Sequence, residues 1–163
     1  MTEIVFREET GRNGGFFYRL PVPESGKGGK RFAGYYGKLT GLFSALSPEE
    51  NGFTSVIGTG RTETGKGGFL SVLLLYRLYR GECLAGCFLQ ADVWDADGNT
   101  VPLAALIGKK QVREAEKTGF EGWFVRGEDV VLCRYGIETV PGGGRVRAVF
   151  RETGKFSCSL PKK

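Results

Sequence analysis

The segment Gly60-Arg61-Thr62-Glu63-Thr64-Gly65-Lys66-Gly67 carries the glycines and the lysine of a phosphate-binding loop at their proper spacing. The match stops there. Gly67 stands where a Ser or Thr hydroxyl would reach magnesium, and no alternation of strands and helices surrounds the motif, so a plain glycine-rich hairpin accounts for it better. Asp92, Asp95 and Asp97, followed by Gly98 and Asn99, gather oxygens of the kind that hard cations favour. Their spacing misses the alternate ligands and the twelfth-position glutamate of a calcium loop. Asp95 to Asn99 reads instead as the turn of a hairpin between Val93-Trp94 and Thr100-Val101. Paired carboxylates for glycoside hydrolysis have no signature either, because nothing selects two of the 18 acidic residues.

The chain contains no histidine, which excludes Ser/His/Asp and Cys/His nucleophile pairs, HExxH zinc sites and every imidazole base. Of its four cysteines only Cys83 and Cys87 are close in sequence, whereas a four-thiolate zinc site is usually built from two close pairs. Cys133 and Cys158 sit alone in alternating segments, where a thiol serves as a small buried hydrophobe. The sequence therefore calls for no metal and no cofactor. With no complete catalytic motif, it leans away from an enzyme.

Binding residues are more informative. In Lys30-Arg31-Phe32-Ala33-Gly34-Tyr35-Tyr36-Gly37-Lys38 an extended chain would carry Lys30, Phe32, Tyr36 and Lys38 on one face, interleaving cations with rings. Single-stranded nucleic acid suits that pattern: cations track phosphates and bases stack on exposed rings. The chain's net charge of +5 is unevenly placed. Residues 1–100 hold 11 basic and 11 acidic side chains, whereas residues 101–163 hold 12 and 7, so the excess lies in the last third. There, Arg145, Arg147 and Arg151 share one parity, with Val146, Ala148 and Phe150 on the other.

Elements able to position these residues are mostly strands. The 163 residues include 27 glycines, and Gly-, Asn- and Asp-rich turn signals separate runs rich in Val, Phe, Tyr, Leu and Thr that are mostly too short for ordinary helices. Strands are expected at 3–9, 15–22, 31–45, 53–62, 69–79, 84–95, 99–107, 120–126, 129–140, 145–152 and 156–160. A single helical turn is expected at Ser47-Pro48-Glu49-Glu50 and a short helix at 111–117. The run from Phe69 to Tyr79 reads as a central strand, with Leu70, Val72, Leu74, Tyr76 and Leu78 on one face and Phe69, Leu73 and Leu75 on the other. Thr10-Gly11-Arg12, Thr64-Gly65-Lys66 and Thr153-Gly154-Lys155 echo one another, and each reads as a hairpin turn with a soluble tip.

These readings combine into one all-β domain over 1–163, an antiparallel barrel of the OB type or a β-sandwich of about ten strands, with long glycine-rich hairpins. The longest nearly apolar run, Phe69 to Leu75, is far too short to cross a bilayer, and the acidic start lacks a signal peptide's pattern, so a cytoplasmic protein with no membrane partner is expected. The functional expectation is non-catalytic binding of single-stranded nucleic acid. Tyr35, Tyr36 and Trp123 would stack bases, and Lys27, Lys30, Arg31, Lys38, Lys66, Arg145 and Arg147 would contact phosphates. The alternative is a protein-interaction module, an inhibitor, adaptor or particle subunit, for which homo-oligomer formation is a signature.

Overall fold

The computed structural model describes residues 5–24, 35 and 52–159. Alternation of apolar residues dominates the described chain and yields eight strands: β1 (Phe6–Asn13), β2 (Phe16–Pro23), β3 (Ser55–Thr64), β4 (Leu70–Arg80), β5 (Cys83–Trp94), β6 (Gly122–Arg126), β7 (Asp129–Thr139) and β8 (Val146–Ser157). One helix, α1 (Lys109–Glu116), interrupts them. The protein is all-β, but among the described residues the strands number eight rather than ten, and they form two sheets with no closed barrel. The expected strand over 31–45 and the turn at Ser47 to Glu50 lie outside the described residues, except for Tyr35, which is helical rather than extended, so the strand expectation is corrected at that residue.

The larger sheet has the order β1-β2-β3-β4-β5, antiparallel throughout except that β2 and β3 run parallel. The smaller is the antiparallel meander β6-β7-β8. β4 is covered on both faces, as its composition requires. On one face Leu70, Val72, Leu74 and Tyr76 pack with Phe16, Leu20, Val56, Trp94 and Tyr35. On the other, Leu73 joins Leu89 of β5 against Phe124, Val131, Cys133 and Tyr135 of the smaller sheet. The layers approach so closely at Gly122 that a Cβ there would lie 2.9 Å from both the Ala91 Cβ and the Leu89 Cδ2. Ser71, fully buried on β4, accepts the backbone N–H of Val125 at 3.0 Å and so satisfies a polar group on the free side of β6.

A third cluster holds α1 in place: Ala115 and half-buried Val112 pack with Leu103, Leu106, Ile107, Val125, Val130 and Leu132. The helix starts two residues before the expected 111 and ends at Glu116. The expectation of a strand over 99–107 is corrected. Thr100 makes one bridge to Trp94, then Pro102 removes an N–H donor and the chain tightens into a 3-10 turn over Leu103–Ala105. Leu103, Leu106 and Ile107 recur at helical spacing, and all three are buried.

The three Thr-Gly-basic echoes behave differently from one another. Only Thr64-Gly65-Lys66 enters a turn, between β3 and β4. Thr10-Gly11-Arg12 lies inside β1, and the hairpin is made by the next residues, where Gly14 takes a φ of 60° that suits glycine. Thr153-Gly154-Lys155 continues as β8, joining the two strands expected over 145–152 and 156–160. The register there jumps between Leu132/Gly154 and Cys133/Glu152, leaving Thr153 as an extra residue accommodated by a bulge. Half-buried Phe156 then packs beside Val130 and Leu132 instead of leaving the sheet.

Candidate functional site

Arg77 and Tyr79 continue the β4 face that carries Leu73 and Leu75, beyond the point where the smaller sheet covers it. The β4–β5 turn follows at once, with Glu82, Cys83 and Leu84, and the start of β8 approaches this end with Gly144, Arg145, Val146, Arg147 and Ala148. Between them lies an open groove of about 610 Å³. Three arginines belong to its lining, with Glu82 the one acidic residue there. Arg145 is exposed, and no ion pair involves it among the described residues. The Nε of Arg77 is buried without a hydrogen-bond partner, a state that costs on the order of 1–3 kcal/mol or more for a charged donor.

Arg147 is tethered. Its Nη2 and Nε both donate to Glu138 Oε1, at 2.8 and 3.2 Å, while Arg151 binds the other oxygen of the same carboxylate. Hydrogen bonds from Arg147 and then Arg151 hold the Glu138 carboxyl below its ordinary pKa. Arg147 and Arg151 thus share a face of β8, while Ala148 and Phe150 pack toward the core, as their parity requires.

The opposite end of β4, about 33 Å away at ordinary strand rise, is built from the same residue types with a different outcome. Glu63 accepts from Arg61 at 2.8 Å and from Arg126 at 3.2 Å. Arg126 also reaches Glu152 at 2.9 Å, and Lys66 donates to Glu128 at 2.6 Å. That contact, with the attendant charge, raises the Lys66 pKa and lowers that of Glu128. Arg61 lies 5.5 Å from the Phe124 ring centroid and 4.7 Å from that of Phe150, closing the seam between the layers with a cation over two rings.

Of the residues singled out in the sequence, the structure brings Arg145 and Arg147 together at the groove. Lys66 belongs to the far, ion-paired end. Trp123 is half-buried on β6 against the α1 cluster and does not line the groove. Tyr35 is only 1% exposed; its hydroxyl donates to the Pro21 carbonyl and its ring meets Trp94 edge-on at 5.9 Å, so it offers no open face to a base. Lys27, Lys30, Arg31, Tyr36 and Lys38 lie outside the described residues. Arg77 and Tyr79 are groove residues that the sequence reading passed over. Their signal was present: they share the parity of Leu73 and Leu75 but sit at a strand end, where a buried face runs out of cover.

The other motifs take structural roles. Gly60 to Thr64 is strand and the loop leads into antiparallel β4, so the phosphate-loop spacing falls on a hairpin with no helix after it. Asp95 Oδ1 accepts the N–H groups of Asp97 and Asn99, both at 2.9 Å, in an Asx turn that closes the Val93-Trp94 hairpin. The four cysteines are free: Cys83 is exposed at the groove, whereas burial pushes the Cys133 thiol up to about 12. Among the described residues no three Cys, Asp or Glu side chains gather as metal ligands, and no helix is long and apolar enough to cross a membrane. Compared with known proteins, the chain matches no family model and no curated relative.

Proposed function

We propose that the chain is a non-catalytic binding protein whose groove between the β4–β5 turn and β8 takes single-stranded nucleic acid. One observation carries the reading: Arg77, Arg145, Arg147 and Tyr79 all contribute to the lining of a single open concavity, in which Glu82 is the one acidic residue. Planar guanidinium forks match phosphate oxygens two at a time, and a tyrosine ring next to them offers a stacking surface that any base can use. Val146, 43% exposed, adds an apolar surface to the same groove. The fold is read as a two-layer sandwich whose open end, not a barrel face, receives the ligand. Anisotropy titration with labelled oligonucleotides tests this directly. Binding at low salt that weakens in Arg77→Gln and Arg145→Gln supports it, and no binding removes it.

A second reading, docking of another protein or of a second copy, draws on a different feature. Ile137 and Val146 are exposed on the β7–β8 hairpin, and β8 is hydrogen-bonded into a sheet on one side only. Strand addition uses such an edge. Light scattering over a concentration series distinguishes the two, because self-association through β8 raises the mass without any nucleic acid present.

A further inference from the structure

Resting on the strand-edge reading, we infer that β8 takes an extended acidic segment of a partner protein as an added strand, with carboxylates at alternate positions and apolar side chains between them. The first observation is the unpaired edge. Val140 donates its N–H to the Arg145 carbonyl at 2.8 Å, which fixes the phase of the β7–β8 ladder. Hydrogen-bonded and non-hydrogen-bonded pairs alternate along an antiparallel ladder, so Arg147, Val149 and Arg151 bond to β7 while Val146, Ala148 and Phe150 turn their N–H and C=O groups outward. The other end gives the same phase: the Cys133 carbonyl accepts from Glu121 on the β6 side, so its β8 partner Glu152 also points outward. Among the described residues no backbone hydrogen bond meets this edge, which runs over 146–152 before the bulge at Thr153.

The second is the charge beside that edge. Tyr135 and Phe150 face the larger sheet, so Arg134, Glu138, Arg145, Arg147 and Arg151 fall on the opposite, outer face of the hairpin. Arg134, Glu138, Val149 and Arg151 border one shallow depression there. Arg134 stands directly opposite Arg151, and like charges so placed destabilise a sheet. Glu138 is shared between Arg147 and Arg151, and neither Arg134 nor Arg145 makes an ion pair among the described residues. The outer face of this hairpin thus carries four arginines and one carboxylate, and a strand added to β8 brings its own side chains into line with Arg145, Arg147 and Arg151.

That charge also decides the occupant. A second copy pairing antiparallel with β8 about a twofold axis places the same face of both strands together, so Arg145, Arg147 and Arg151 of each copy would gather beside their own equivalents. An acidic strand instead offers each of these guanidinium forks a carboxylate. Its intervening residues fall on the parity of Val146, Ala148 and Phe150. Val146 is 43% exposed and shares the groove lining with Tyr79 and Leu84, so apolar side chains suit those positions. Main-chain bonds to the edge supply affinity, and the acid–apolar alternation supplies selectivity.

The experiment is an anisotropy titration of the full chain at low salt with the labelled peptide Glu-Val-Glu-Val-Thr-Val-Glu, whose glutamates share one face of a strand. A scrambled peptide, Glu-Glu-Val-Val-Thr-Glu-Val, and a version with lysine for every glutamate are the controls. Expected is an affinity at least about tenfold higher for the alternating acidic peptide. Only alternate amides of an added strand point at β8, so N-methylation of either the central valine or the threonine should cost at least about tenfold and of the other less than about threefold. Ala148→Pro removes an outward N–H without touching the β7 ladder. It and the double variant Arg145→Gln, Arg147→Gln should each weaken binding at least about tenfold, while Lys155→Gln stays within about twofold, with melting curves confirming that each variant is folded. Equal binding of the scrambled peptide, or equal tolerance of N-methylation at both positions, overturns the inference. Dimerisation that Ala148→Pro abolishes, with no peptide bound, also overturns it and leaves the strand edge to a second copy. No peptide binding by a protein that stays monomeric removes the strand-edge reading as well, and oligothymidylate binding in that case leaves the groove to nucleic acid.

Discussion

The two ends of β4 are made from similar side chains and present opposite surfaces. At the β3–β4 end Arg61, Lys66 and Arg126 meet Glu63, Glu128 and Glu152, and the charges cancel over a seam capped by aromatic rings. At the β4–β5 end Arg77, Arg145 and Arg147 share the lining of one open groove with a single acidic residue, Glu82. A count of arginines in the sequence does not distinguish these ends. What distinguishes them is the placement of acids on the facing sheet: Glu128 and Glu152 lie near one end, whereas Glu138 is turned to the outer face of β7–β8 and reaches Arg147 from there.

Replacing both Arg77 and Arg145 by glutamate turns the open end acidic. The expected consequence is a loss of oligonucleotide affinity of about 100-fold, about 2.7 kcal/mol, while Lys66→Gln at the paired end stays within about twofold. Anisotropy on the three proteins decides it, and equal losses at both ends would abolish the distinction. Next in size is Ser71→Ala, which leaves the buried Val125 N–H without its acceptor. A stability loss of about 1–3 kcal/mol is expected in urea denaturation, with binding at the open end unchanged.

Smaller effects sharpen the contrast. Glu138→Gln releases Arg147 and Arg151, so a few-fold gain in affinity is expected near neutral pH. Because the Glu138 carboxyl is held below its ordinary value, its contribution to stability is present above about pH 4.5 and is lost as pH falls through the depressed pKa. The melting temperatures of wild type and Glu138→Gln should therefore converge in acid, and divergence there would contradict the pairing. Finally, a thiol reagent should modify exposed Cys83 in the folded protein and leave Cys133 untouched, with bound oligonucleotide slowing the reaction at the groove. Peptide mapping after labelling reads this out.

Much of the fold was legible because local pattern and burial agree. β4 was placed within one residue at each end, since apolar residues load both of its faces, and the short helix expected at 111–117 was found as α1 over Lys109–Glu116. Expectation failed where turn chemistry competed with burial: Thr153-Gly154-Lys155 has the composition of a hairpin tip, but the packing of Phe156 keeps the strand going through a bulge. It failed again at Leu103, Leu106 and Ile107, where helical spacing after Pro102 outweighed a β-branched start at Thr100-Val101. The groove was only half legible. Arg145 and Arg147 were visible as a basic run, but their meeting with Arg77 and Tyr79 depends on how the hairpin of one sheet docks over the end of another, and residue spacing along the chain does not encode that distance.

The Ser71 hydroxyl ties the two layers together at one buried atom pair. An isolated β6–β7–β8 meander would leave the Val125 amide open to solvent, so in the native protein that proton trades with deuterium only when the layers part. Its isotope exchange should share the opening free energy of the β4 amides, reporting a single cooperative unit where the topology shows two sheets.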